Sequence, residues 1–595
     1  MTAAASTEAT PKWILDDLYL AQDDPKISED LDRTAESAKS FAAQYQGKLA
    51  ALDGAGLGRA IKEYEELSEV LSAVMSYAQL LFAADAENAQ VAAFYQDMNE
   101  RATEISTDTL FFELELNRIE DATLAQQMTD PTAVKYAPWV DSVRIYKPYQ
   151  LDDELEKLLH EKSLTSHNAW VRLFGETMAD IRFTVKGKRV RELTLADTLN
   201  LLSDKKPEVR KQGALALSKG LGDNIRTFTL ITNTLAKDKE IEDQWRSYPK
   251  PQSYRNLANQ VEDEVVDALV SSVRKNYANL SHRYYKLKAK WFGVRQLNTW
   301  DRNAPLPEDS DRRFSWDEAR ATVLSAYGGF APEMATIAER FFDKRWIDAP
   351  PAPGKDSGAF SHSTVPSVHP YVMMNFHGKA RDVMTLAHEL GHGVHQVLAA
   401  DQGTLMSDTP LTLAETASVF GEMLTFREML NTEPNAKRRR ILLAGKVEDM
   451  MNTVVRQIAF HQFEEQVHSL RSHGELSADK LGEIWMQVQR ESLGPAIRFD
   501  DDYRHYWAYI PHFLHAPFYV YAYAFGDCLV NSLYDVFQSG HPGFQAKYFT
   551  MLKAGGTLRH TELLAPFGLD ASDPAFWNRG LNVISGFIDE LETAL

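Results

Sequence analysis

The stretch LAHELGHGVHQ, residues 386–396, decides how this chain is read. His388 and His392 are four positions apart, and Glu389 follows the first of them directly. The surrounding run, RDVMTLAHELGHGVHQVLAA (381–400), has apolar residues at helical spacing: Val383, Leu386, Leu390, Val394 and Val397. Asp382 is a candidate cap for that helix. On a helix, residues four apart share a face, so both imidazoles point the same way and can hold one metal ion. Glu389 projects beside such an ion, where a base must sit to take a proton from water activated there. Gly391 and Gly393 weaken a helix, so their presence calls for a packing or functional reason.

A catalytic zinc ion takes three protein ligands and keeps one position open. His395 is near but lies one turn beyond His392. The longer motif His-Glu-x-x-His-x-x-Gly-x-x-His fails, because position 395 is His and position 398 is Leu. In QGTLMSD (402–408), Ser407 stands where an aspartate ligand would be wanted, and Asp408 falls one place later. The better candidate lies downstream. Thr409-Pro410 reads as a cap followed by proline at the first helical position, opening a helix LTLAETASVFGEMLTFREML (411–430). Glu415 lies on that helix among Leu413, Ala414 and Ala417. A carboxylate in such company is costly unless it is paired or bound to a metal. Glu422, seven positions on, shares its face. It is either a partner for a ligand histidine or an ordinary solvated glutamate.

Residues 503–526, YRHYWAYIPHFLHAPFYVYAYAFG, are dense in Tyr and His. An aromatic core is the plain explanation, but buried Tyr hydroxyls need partners, and peptide hydrolysis needs donors aimed at an oxyanion. His512, Tyr519 and Tyr523 are the candidates, with the two tyrosines expected one helical turn apart. Tyr521 points elsewhere and reads as core, while His505 and His515 fit either role.

The rest of the chain bounds the answer. With 595 residues it is too long for one ordinary core. Hydrophobic residues make up 44% and charged residues 25%, a globular profile. The net charge of -20 argues against phosphate backbones and anionic lipid, so neither a nucleic-acid nor a membrane-surface partner is expected. The single cysteine, Cys528, excludes an intrachain disulfide and a cysteine-based metal site. The start MTAAASTEATPKW lacks a basic segment followed by an apolar one, and no run of 18 apolar residues occurs, which leads to a cytoplasmic expectation. Segments 56–118, 190–240, 262–293, 436–470 and 477–493 read as helix. Residues 296–313 read as loop. The Pro-, Gly- and Ser-rich run 348–370 cannot be helix, and YVMMNF (371–376) reads as a short strand. The expected fold class is therefore mostly α with a small β element. The expected domains are an N-terminal helical lobe, 1–205, and a catalytic region, 206–595, meeting near Lys205–Pro207.

LAHELGHGVHQ, LAETASVFGEML, YWAYIPHF and PFYVYAYAFG, with PYVMMNFHG before the metal helix and WILDDLY at 13–19, together resemble oligoendopeptidase F of the thimet oligopeptidase superfamily. The resemblance spans nearly the whole chain in order. It implies a two-lobed, all-helical zinc endopeptidase with a deep substrate channel and a short strand that pairs with substrate backbone. It implies zinc held by His388, His392 and Glu415, with Glu389 as base and then acid. It places His and Tyr donors between His512 and Tyr523, with Tyr519 first and Tyr523 second. The implied partners are oligopeptide substrates. A zinc carboxypeptidase and a non-catalytic zinc-bearing peptide-binding protein are the rival readings. The sequence carries no signal for oligomeric state.

Overall fold

The computed structural model describes residues 10–187, 189–306 and 312–593. Residues 1–9, on which the reading of the amino terminus partly rests, and 307–311, within the expected loop 296–313, lie outside the described residues. The chain is 70% helical with a few small strands, as the apolar periodicity predicts.

The chain forms two compact units, each assembled from three stretches. The first comprises Met1–Lys147, Asp311–Thr432 and Val536–Leu569. The second comprises Pro148–Ser310, Glu433–Asp535 and Asp570–Leu595. The boundary expected near Lys205–Pro207 falls inside the second unit.

In the first unit, the expected helical stretch 56–118 divides into Gly54–Ala84, Ala89–Thr109 and Phe111–Arg118. Gly54–Ala84 is, among the described residues, the one helix long and apolar enough to cross a membrane. Its Leu57, Ala60, Ile61 and Leu67 instead pack with Phe41, Phe112 and Trp139 in a core of this unit. The helix Ala380–Ala399 carries the two motif histidines and packs along Leu411–Thr432, which carries Glu415. Asp382 is not the cap of the first of these. It sits inside the first turn and reaches back to accept from the Lys379 and His377 N–H groups at 2.9 and 2.8 Å.

A three-stranded sheet lies in the same unit. Tyr371–Met373 runs parallel to Ile347–Asp348 on one side and antiparallel to Phe360–His362 on the other. The expected strand at YVMMNF therefore exists, but it is central. Both its edges are already hydrogen-bonded, so it cannot take an added peptide strand. Ile347–Asp348 and Phe360–His362 are the outer strands, each with a single partner.

The second unit has its own core, in which Phe228, Ile231, Leu217, Phe463, Trp485 and Trp507 are buried together. Val190–Leu193, expected as helix, is a strand paired antiparallel with Phe183–Lys186. A short amphipathic run does not by itself distinguish the two periods, and here cross-strand pairing wins. Within 296–313, Leu297–Asn298 pairs with Ile497–Arg498, and Thr299–Asp301 forms a short helical turn.

Candidate active site

The helix Ala380–Ala399 and the helix Leu411–Thr432 approach closely because Gly391 has no side chain. A Cβ built there would stand 2.5 Å from the Ala417 carbonyl oxygen and 2.6 Å from Ser418 Cα. Only glycine lets the backbones lie this near. The close approach brings Glu415 under the two histidines. His388 Nε2 lies 3.3 Å and His392 Nε2 3.5 Å from the same Glu415 Oε2, and the two imidazole centroids are 4.9 Å apart.

His388, His392 and Glu415 form, among the described residues, the one cluster of three ligand-type side chains whose donor atoms all lie within 4.8 Å of one another. This donor set fits a tetrahedral zinc ion. Bonds of about 2.0–2.1 Å at tetrahedral angles put neighbouring ligand atoms about 3.3–3.4 Å apart. The nitrogen–oxygen separations meet that requirement without rearrangement of the backbone.

Each of the three clustered side chains is held from behind. His388 Nδ1 meets Glu422 Oε2 at 3.3 Å, so Glu422 is a partner of a motif histidine rather than a solvated glutamate. His392 hydrogen-bonds the Ala414 backbone carbonyl, one residue before Glu415. Ser418 Oγ donates to Glu415 Oε2 at 2.6 Å, one turn along the same helix. Tyr327 OH donates to the Ala387 carbonyl at the start of the motif. His395 is buried, also hydrogen-bonds the Ala414 carbonyl, and is not one of the three clustered side chains. Asp408 lines a separate cavity of about 300 Å³ with Arg340, Thr364, His369 and Gln396.

Glu389 is only 6% exposed and lies outside the three-ligand cluster. Burial pushes its carboxyl up to about 7. His388 opposes this, the Glu415 and Glu422 carboxylates add to it, and the Ser361 backbone N–H, hydrogen-bonded to Glu389, opposes it again. Burial pulls His388 down, but the Glu422 hydrogen bond and the carboxylates of Glu415 and Glu389 outweigh it and bring it to about 9. Burial holds His392 below the usual histidine range, and the nearby His388 adds to that effect. Burial would raise Glu415, but the two histidines and Ser418 keep its carboxyl low. A buried carboxyl near neutrality next to ionised or metal-ready groups is the arrangement proton transfer requires.

The aromatic candidates gather in the second unit. Tyr523 OH and His512 Nε2 are 3.3 Å apart, and the Tyr519 ring lies 5.9 Å from His512 and 5.3 Å from Tyr523. Tyr519 is not on the helix as expected. The helix begins at Tyr521, and Tyr519 sits in the turn before it, its carbonyl accepting from the Ala522 N–H. Tyr521 is core, as read: it is buried, with its hydroxyl between Asn256 and Asn259. His515 packs edge-on to Phe174, and His505 stands beside Gly222.

Four groups were not singled out in the sequence; one is Tyr327, whose hydroxyl meets a backbone carbonyl on another helix. Ser418 could have been, since it stands three residues from Glu415 on one helix face. Ser361 and the Ala414 carbonyl could not, because backbone contacts between separate elements leave no mark on residue type.

A half-buried pair of histidines close to one carboxylate, with a neighbouring buried glutamate, makes a candidate metal centre on a mostly helical chain. The sequence profile of peptidase family M3 matches residues 200–583, and that of oligopeptidase F matches residues 115–183. The chain belongs to peptidase family M3. It is 27% identical to oligopeptidase PepF of Bacillus subtilis, covering 99% of this chain and 88% of that protein. It is 27% identical to group B oligopeptidase PepB of Streptococcus agalactiae, covering 95% and 93%. The crystal structure of oligoendopeptidase-F from Enterococcus faecium superposes with a TM-score of 0.73 at 21% identity, covering 96% of this chain and 99% of that one.

Proposed function

We propose that this peptidase is a zinc metalloendopeptidase that cleaves internal bonds of short, unfolded oligopeptides. The observation that carries the reading is the convergence of His388, His392 and Glu415 within 4.8 Å, with the buried Glu389 following the first ligand. A zinc ion held by those three side chains would supply Lewis-acid polarisation at a hydrolytic site. Glu389, anchored by the Ser361 N–H, takes a proton from the attacking water and then delivers it to the leaving amine. Glu422 and the Ala414 carbonyl fix the ring orientations of His388 and His392. Following the family resemblance, His512 and Tyr519, with Tyr523 as the alternative, are assigned as hydrogen-bond donors to the oxyanion. The catalytic region stays assigned to 206–595, which contains every one of these residues. A retained general base argues against a purely binding protein, since holding a metal does not need Glu389. The single buried cysteine suits a reducing compartment, and we place the protein in the cytoplasm.

The test uses a peptide blocked at both termini and the Glu389→Gln variant. The wild type is expected to cut inside the blocked peptide. The zinc-loaded variant is expected to lose at least about 10²–10⁴ in turnover at unchanged metal content. No cleavage of the blocked peptide by the wild type would favour a carboxypeptidase. Near-normal turnover in the variant would remove Glu389 as the base.

A further inference from the structure

Phe518, the residue before Tyr519, has φ +60, a left-handed conformation that a bulky side chain rarely adopts. Glycine would sit there without strain, so the phenylalanine must be held by its surroundings. Its ring is fully buried, 5.7 Å from the His461 ring and 5.0 Å from the His468 ring. Its backbone N–H donates to Glu464 Oε1 at 2.8 Å. One residue earlier, the Pro517 carbonyl accepts a long 3.4 Å hydrogen bond from Arg255 Nε. The same guanidinium lies over the Tyr519 ring, 5.6 Å from its centroid. Two side chains from separate helices, Ser253–Ala258 and Arg456–Arg471, thus grip consecutive residues of one strained turn.

We propose that Glu464 and Arg255 are positioning residues for the reaction: they clamp the 517–519 backbone and so fix the hydroxyl of Tyr519. The inference rests on the assignment of Tyr519 as an oxyanion donor. Glu464 fits the part because packing alone does not explain it. Its Oε2 is buried without a hydrogen-bond partner, and burial pushes its carboxyl up to about 8. A costly buried carboxyl is retained here at the point where a backbone N–H needs an acceptor. The clamp leaves the zinc ligands untouched, so its effect should be on kcat rather than on metal content.

The experiment compares Glu464→Leu, Glu464→Gln, Tyr519→Phe and the Glu464→Leu/Tyr519→Phe double variant, all zinc-loaded. Glu464→Leu removes the acceptor and should lower kcat by about 10- to 10²-fold with little change in KM. Glu464→Gln keeps a carbonyl oxygen for the Phe518 N–H and should restore most of the rate. The double variant should be no slower than Tyr519→Phe alone, because both changes act through one hydroxyl. Should Glu464→Leu fail to fold, Arg255→Met takes its place in the same cycle with the same expectation for kcat. A wild-type kcat in Glu464→Leu, a Gln variant as slow as the Leu variant, or additive losses in the double variant would each overturn the clamp. A normal kcat in Tyr519→Phe would overturn the donor assignment itself and the clamp with it. A slow Tyr519→Phe beside a normal Glu464→Leu overturns the clamp alone.

Discussion

Replacing Gly391 by alanine should open the metal site without touching a ligand. The new Cβ would stand 2.5 Å from the Ala417 carbonyl oxygen and 2.8 Å from its carbon, whereas ordinary contact begins at 3.4 Å. These are backbone atoms and cannot turn aside, so the two helices must part by roughly 1 Å at this point. Overpacking of this kind costs about 1–3 kcal/mol. Alanine returns about 1 kcal/mol of helix propensity, so the folded protein should survive. The site should not. Glu415 lies on the helix being pushed away, and its Oε2 is 3.3 and 3.5 Å from the two histidine nitrogens, distances that leave no slack for a shared ion. A zinc dissociation constant raised by at least about tenfold is expected, since a ligand lost from reach leaves the site incomplete. At saturating zinc, kcat/KM should fall by about 10²-fold, the scale of a 1 Å misplacement. Chelator competition measures the first, hydrolysis of a blocked peptide the second, and circular dichroism confirms the fold. Gly393→Ala is the control. Its Cβ would meet the Phe341 ring at 2.5 Å, a side chain on the helix Pro332–Asp343, so stability should suffer while metal affinity is largely kept. Wild-type zinc affinity and turnover in Gly391→Ala would refute the reasoning.

Glu415→Ala should lower metal content after dialysis as well as rate. Full occupancy would move the third ligand elsewhere, with Glu422 next in line. Glu422→Ala should weaken zinc binding by about 10- to 100-fold, the usual effect of losing the group that orients a ligand histidine; an unchanged affinity would make the 3.3 Å contact to His388 incidental. Chelation should abolish activity and leave the helical dichroism intact, because the first unit has a core of its own around Phe41, Leu57, Phe112 and Trp139, apart from the proposed ligands. Loss of most helical signal would show that the metal is structural too.

The two-histidine motif could be read from the sequence because its chemistry is local. His388, Glu389 and His392 sit on one helix whose period the apolar residues announce, and Glu415 stood out as a carboxylate in apolar company. Helix content was legible for the same reason: 3.6-residue periodicity is a property of neighbouring residues. What failed were readings that depended on how separate elements pair and pack. YVMMNF has the composition of a strand, but only pairing on both sides makes it central and closes it to a peptide. Val190–Leu193 became a strand because Phe183–Lys186 lies beside it. Tyr519 lies in a turn beside Phe518, which is in a left-handed conformation and whose N–H bonds to Glu464, 54 residues earlier in the chain. A sequence records which groups are available and how they repeat. Which of them meet is fixed by contacts whose energy depends on position in space, and the Gly391–Ala417 approach that seats Glu415 beneath two histidines is one such contact.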